Sequence, residues 1–375
     1  MPKDYQLISD AASLREAVDA MSSFSELAID TEFVWERTYF ARLGLVQFGL
    51  PGKGCYLVDA VQISDLGSLG SILENESIVK ILHDAPQDLM ILHRATGATT
   101  RNVFDTRLAA GFAGMSSELS LQRLLFELLD VEIPKGHTRA DWTSRPLEAH
   151  LLEYAVDDVR YLPELAFRLR EGARESGIEH WLNEELSALE RSSACRQPVP
   201  ERQYLRVKGV GGLSEEGLSV LRELAAWREH EAINTDRPRR QIAEDRDLIA
   251  VAHALPADEV ELKACNRISK GVLRRYSGVL LSAVKQGRGS PKAELPLTPL
   301  RTDIRKVGRE RVDGLFHRIG KRARERRIDP LLVTNKNGVV RLLSEWPDAQ
   351  PEDHRLMQGW RSELLGDSLE SLIQV

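Results

Sequence analysis

Three short β-rich runs, LAIDTEF (27–33), ARLGLVQFGL (41–50) and CYLVDA (55–60), are separated only by polar or Gly/Pro turns. Runs spaced this closely form a strand meander. The next segments narrow the fold further. After a helix near 66–75 and a short apolar strand, IVKILH (78–83), the pattern becomes helical. Apolar residues recur every three or four positions through PQDLMILHRAT, DTRLAAGFAG, SLQRLLFELLD and PLEAHLLEYAVDDVRYLPELAFRLREGARESG. Three antiparallel strands leading into alternating helices and strands describe an α/β domain with a mixed sheet.

The chain continues well past that domain. At 375 residues it has room for two or three domains. Residues 191–209 are polar and hold two prolines, which marks a linker between 1–190 and the rest. Helical segments occupy 210–292 and 293–375, the last with the basic stretches RTDIRKVGRERV and RIGKRARERRID. The net charge of −6 hides an asymmetry. Residues 1–190 carry 17 Lys and Arg against 31 Asp and Glu (net −14), and residues 191–375 carry 34 against 26 (net +8). An acidic half able to hold cations precedes a basic half able to hold phosphates, although both are equally open to being solvated surface. No apolar run reaches the length of a membrane span, and the N-terminus lacks the pattern of a signal peptide. Cys55, Cys195 and Cys265 are far apart and form no CxxC pair, which suits a reducing cytoplasm better than a disulfide or zinc framework.

Three acidic clusters carry potential chemistry. Asp30 and Glu32 end a strand, and residues two apart on a strand point to one face. His83-Asp84-Ala85-Pro86-Gln87-Asp88 joins a strand to a helix, with Asp84 a candidate N-cap and Asp88 in the first turn. Tyr154 and Asp158 are four apart on a helical pattern and share a face, whereas Asp157 is turned away. Each cluster alone is equally a solvated strand end, a helix cap or a surface pair. Their order on strand, helix start and late helix of one domain is what counts.

Taken together, the segments DTEFVWERTYFARLGLVQF (30–48), HDAPQDLMIL (83–92), KGHTRADWTSRPL (135–147) and YAVDDVRYLPEL (154–165) resemble the ribonuclease D branch of the DEDDy 3′-5′ exonuclease superfamily. The resemblance implies a ribonuclease H-like exonuclease fold for roughly 1–190. Residues 218–256, with Trp227-Arg228, Pro238 and Ile242…Asp245…Leu248, resemble an HRDC module, and GWRSELLG (359–366) resembles part of a second, more divergent one. The fold class expected is therefore an α/β exonuclease domain with a mixed sheet followed by two small all-α HRDC-type domains.

The same resemblance implies the chemistry. Phosphodiester hydrolysis needs an activated water and relief of charge on the leaving oxygen, which two divalent ions supply. An all-carboxylate site suits Mg²⁺ or Mn²⁺. By resemblance Asp30 bridges both ions, Glu32 and Asp158 hold the ion that activates water, and Asp88 supports the second. Tyr154 orients the water, since an ordinary tyrosine pKa of about 10 makes a poor base. Lys135, His137, Arg139 and Arg145 are candidates for backbone phosphates, and His83 is a candidate contact or a core histidine. Phe33 and Trp35 can stack on a terminal base or pack in the core; Trp142 reads as an anchor. Arg237, Arg239, Arg240, Lys270, Arg274, Arg275 and Tyr276 suggest an RNA-binding face of the first helical module, or a solvated one. The substrate implied is RNA, specifically transfer-RNA precursors with 3′ trailers, cut one nucleotide at a time by a cytoplasmic monomer with no membrane contact and no nucleotide cofactor. A DNA exonuclease of the same superfamily and a catalytically inactive binding platform are the alternatives. The chain has no GxxxxGK[ST] phosphate loop, so it is not itself a P-loop helicase.

Overall fold

The computed structural model describes residues 4–134, 140–191, 198–210, 212–290, 307–366 and 368–374. They fall into two compact units. One draws on 1–34, 43–196 and 302–375; the other on 35–42 and 197–301.

The first unit is built on a six-stranded mixed sheet. Its strands are β1 (Tyr5–Ile8), β2 (Glu26–Val34), β3 (Arg42–Leu50), β4 (Gly54–Asp59), β5 (Val79–Leu82) and β6 (Val103–Asp105), in spatial order β1-β4-β3-β2-β5-β6. β3 and β4 are antiparallel, as a hairpin requires; β1 runs parallel to β4, and β5 runs parallel to both β2 and β6. The helix expected near 66–75 is a 3₁₀ turn, Gly67–Leu69, running into Gly70–Leu73.

Alternation along the strands feeds two cores, because successive side chains leave opposite faces. Leu27, Ile29, Val46, Phe48 and Val58 pack with Leu14 and Val18 of the Ala11–Met21 helix and with Leu89 and Leu92 of the Pro86–Thr96 helix. Ala28, Leu45, Leu57, Ile81 and Phe104 pack on the other face, with Ala155 and Val159 of the Ala149–Arg160 helix. Burial on both faces explains why β2 reads as a continuous apolar run up to Ile29.

The C-terminal helices Arg309–Glu325, Lys336–Glu345 and Gly359–Leu365 share that second core. Trp360, fully buried, lies edge-on to Phe112 with ring centres 5.0 Å apart. Its indole N–H donates to Glu185 at 2.7 Å, and Arg361 donates to the same carboxylate at 2.8 Å. Gly111 allows the approach: a Cβ there would meet Leu332 at 2.4 Å.

In the second unit, the Glu215–Thr235, Asp245–Ala254 and Lys270–Arg288 helices enclose a core that includes Tyr39, Tyr204 and Val207. Part of the stretch read as a linker is therefore ordered: Pro200–Arg206 is a 3₁₀ helix, anchored by its buried tyrosine. Tyr39 donates to the fully buried Glu229, which also takes a two-pronged pair from Arg239. No described helix is long and apolar enough to cross a membrane.

Candidate active site

Strand alternation places the acidic residues. Ala28, whose side chain faces the Ala149–Arg160 helix, puts Asp30 and Glu32 on that same face. The helix answers with Asp158. Carboxylate oxygens of Asp30, Glu32 and Asp158 lie within 4.8 Å of one another. Two glycines of β3 let the opposing backbone come this close. A Cβ at Gly49 would sit 2.6 Å from the Val159 carbonyl oxygen, and one at Gly44 would sit 2.3 Å from that of Trp142.

Tyr154 lies one helical turn before Asp158, and its hydroxyl donates to the Asp158 carboxylate. Trp142, almost fully buried, backs the tyrosine with ring centres 6.1 Å apart. This position is the anchoring role read for Trp142.

Asp88 arrives from the other face of the sheet. Thr31 lies between Asp30 and Glu32 and points oppositely, toward the Pro86–Thr96 helix, where its hydroxyl donates to Asp88. Asp88 then acts on the trio by charge and is absent from the cluster of close oxygens. The cap expected from Asp84 is not made. Asp84 has a left-handed φ of 63° and pairs with Arg107, and Ala85 occupies the N-cap position without a side-chain bond. Asp105 takes over the turn. It accepts from Ala85 N at 2.9 Å and Asp84 N at 3.2 Å while capping its own helix, Thr106–Phe112.

Crowding sets the electrostatics. Burial, reinforced by Asp88, Asp158 and Glu32, holds the Asp30 carboxyl well above the usual carboxylate range. Glu32 is pushed up to about 9 by burial and by Asp158 and Asp88. Burial pushes Asp88 to about 7 against the opposing bond from Thr31, and Asp158 to about 7 against the bond from Tyr154. Burial and the same anions push the Tyr154 hydroxyl far above its ordinary value. A hard divalent cation relieves this repulsion, and three close carboxylates with no nitrogen or sulfur donor fit one.

A cleft of about 560 Å³ contains all five residues. Phe33 and His83 line it too. His83 accepts or donates through Nδ1 with Thr106 at 3.0 Å, and burial lowers its pKa to about 4, so it is neutral at physiological pH. Trp35 does not line the cleft: it belongs to the other unit, where its indole N–H donates to the Tyr39 carbonyl at 2.8 Å. Arg145 is likewise absent from the lining. It clamps Asp59 at 2.6 and 2.7 Å and reaches the carbonyls of Gly44, Trp142 and Ser144, so its donors are used inside the fold. Lys135, His137 and Arg139 lie outside the described residues. In the helical unit Arg240, Lys270, Arg274 and Arg275 are exposed, Arg237 reaches Gln241 at 3.4 Å, Arg239 is spent on Glu229, and Tyr276 is buried.

Asp84 and Trp142 also line the cleft, as do Thr31 and Gln87, which lie inside the segments that carry the resemblance but have no role implied by it, and Arg107 with a wall from Glu118 to Gln122, which lie outside those segments. Only the serine that caps the Leu121–Leu129 helix, Ser120, leaves a signal there.

Comparison with known proteins supplies the context. Residues 5–172 match a family model described as 3′-5′ exonuclease, and residues 217–284 match one described as HRDC domain. The ribonuclease D of Desulfotalea psychrophila is 36% identical over 97% of both chains. That of Escherichia coli is 28% identical over 99% of both. The crystal structure of the Escherichia coli enzyme, described as an exoribonuclease involved in structured RNA processing, superposes with a TM-score of 0.87 at 27% identity, covering 99% of this chain and 98% of that one.

Proposed function

The chain belongs to the ribonuclease D family and is a 3′-to-5′ exoribonuclease, and we propose that it acts through two divalent cations, Mg²⁺ or Mn²⁺, held by Asp30, Glu32, Asp88 and Asp158. The observation that carries this reading is the trio of carboxylates, half-buried at Asp30 and Glu32 and buried at Asp158, with oxygens within 4.8 Å of one another. Cations bound there would acidify an attacking water and offset charge on the leaving 3′ oxygen.

The chain's own groups do the rest. Asp30, Glu32 and Asp158 supply the oxygen donors, and Thr31 fixes the orientation of Asp88 beside them. Tyr154 stays protonated, because its pKa is far above neutrality, so its hydroxyl, which donates to Asp158, orients a water through its oxygen rather than taking a proton. Phe33, on the cleft wall, offers a face for the terminal base. Hydrolysis consumes water alone, so no nucleotide cofactor takes part.

The preferred substrates are transfer-RNA precursors with 3′ trailers, trimmed in the cytoplasm by a monomer to nucleoside 5′-monophosphates. Residues 210–292 and 293–375 are two helical modules of one kind, the second divergent; the segment 359–366 that suggests it begins a helix at Gly359–Leu365. The test is a time course on 5′-labelled RNA and DNA of one sequence, with Mg²⁺ or Mn²⁺ and with a chelator. Stepwise loss from the RNA 3′ end, stopped by chelator and abolished in Asp30→Asn, is the expected result. Faster loss from DNA, or near-normal turnover by the variant, overturns it.

A further inference from the structure

The basic residues divide into those used inside the fold and those left over. In the Arg309–Glu325 helix the inward side is apolar, with Val312, Leu315, Ile319 and Ala323 buried. Two of its arginines serve packing. Arg318 donates to the Leu372 carbonyl at 2.6 and 2.9 Å, and Arg322 donates to that of Leu364 at 3.4 Å. Just beyond the helix, the Arg326 guanidinium lies 6.0 Å from the ring centre of Trp181.

Lys321, Arg324 and Arg327 have no such use. All three are exposed, and their side chains make no hydrogen bond or ion pair with a described residue. Residues 321 and 324 share one helix face. Arg327 continues the three-residue spacing past the helix end, where a left-handed φ of 56° and the bond from Ile328 N to the Ala323 carbonyl at 2.9 Å close the turn. Cations near a helix C-terminus also favour its dipole, but Arg322, on a terminal carbonyl, already fills that role for the neighbouring helix end.

Residues 1–190 carry a net charge of −14, which repels a polyanion. The three free cations belong to the same compact unit as the acidic cleft. We propose that Lys321, Arg324 and Arg327 form a phosphate-binding face that holds the body of the RNA while its 3′ end is cut. This rests on the exoribonuclease reading and adds a binding site away from the cleft. The occupant is nucleic-acid backbone: three exposed cations, three positions apart in the sequence and without an anionic partner among the described residues, suit a chain of phosphates.

The experiment uses the full-length protein with Lys321→Gln, Arg324→Gln and Arg327→Gln combined. Affinity for a labelled RNA of about 25 nucleotides is measured in chelator over a salt series, and kcat/KM is measured with metal on that RNA and on a dinucleotide. The expected result is RNA affinity at least about tenfold weaker, with the slope of log K against log salt reduced by about 2, at roughly 0.7 for each phosphate no longer neutralised. Dinucleotide kcat/KM stays unchanged. The charge-retaining pair Arg324→Lys and Arg327→Lys keeps wild-type affinity, which separates charge from folding. Unchanged affinity and slope in the triple variant, or an equal fall on the dinucleotide, overturns the face. Failure of the wild-type protein to shorten RNA at all overturns instead the exoribonuclease reading.

Discussion

Thr31 donates its hydroxyl to Asp88 from the opposite face of the strand that carries Asp30 and Glu32. One strand thus serves two sides of the cleft: even positions supply donors for a cation, and the odd position between them orients the fourth carboxylate. Thr31→Val keeps the β-branched shape and deletes the donor. Removing such a supporting bond costs about 10- to 100-fold in metal affinity or activity. Thr31→Ser, which keeps the hydroxyl, is expected to stay within a few-fold of wild type by the same reasoning. Metal titrations of kcat in the three proteins check this; equal activity in Val and Ser variants refutes it.

The acidic cluster also makes stability depend on pH. Asp88 and Asp158 sit at about 7 and Glu32 at about 9, all above their unfolded values near 4. At neutral pH the native state therefore binds more protons than the unfolded chain, and stability falls as pH rises from the unfolded toward the folded values. A bound divalent cation replaces those protons. The rise in Tm on adding Mg²⁺ or Mn²⁺ should be larger at pH 8 than at pH 6, measured by calorimetry at matched ionic strength. A rise independent of pH would mean that the cation does not compete with protons at these carboxyls.

Gly49 sets how closely helix and sheet approach. A methyl group at this position would lie 2.6 Å from the Val159 carbonyl and 3.0 Å from the Ala28 side chain. Gly49→Ala must push the helix bearing Asp158 away from β2, at about 1–3 kcal/mol for overpacking. Chemical denaturation reads the fall in stability. Because the displaced helix carries one of the three close carboxylates, activity at limiting metal should fall more than activity at saturating metal.

Much of this arrangement is legible in the sequence, and the illegible parts share a cause. Asp30 and Glu32 on one strand face, and Tyr154 with Asp158 one helical turn apart, arise from local periodicity. Thr31 does not, because its partner is 57 positions away and is brought near only by sheet pairing. Arg145 reads as a free cation until folding presents Asp59, 86 positions away, and Arg239 until it presents Glu229 and Tyr39. β1 and β6, four and three residues long, are too short to show a period, yet they complete both edges of the sheet. The C-terminal helices show their apolar stripes in the sequence, but not that the stripes close on Phe112 and Trp181.

That closure predicts how the C-terminal segment fails. Glu185 is buried among Arg361, Arg355 and the Trp360 indole. Arg361→Ala removes a buried partner from a buried carboxylate, which costs about 3 kcal/mol, the low end of the usual range because two donors remain. Arg361→Ala with Glu185→Gln should recover part of that cost by removing the stranded charge. Denaturant unfolding of both single variants and the double variant gives the coupling, and strict additivity would show that the pair is not held as described.

Tyr154 offers the sharpest separation of position from chemistry. Its ring rests against Trp142, and its hydroxyl meets Asp158. Tyr154→Phe keeps the ring contact and removes only the donor. If the hydroxyl orients the attacking water, kcat falls by about 100-fold, the scale set by misplacing a reacting group, while KM for RNA changes little. The decrease should be the same at every pH from 6 to 9, because a hydroxyl with so high a pKa does not titrate in that window. A general base would behave differently: the wild-type rate would climb with pH along a limb that the variant lacks. Parallel pH profiles of kcat, offset by a constant factor, therefore support the positioning role, and a limb present only in the wild-type protein refutes it.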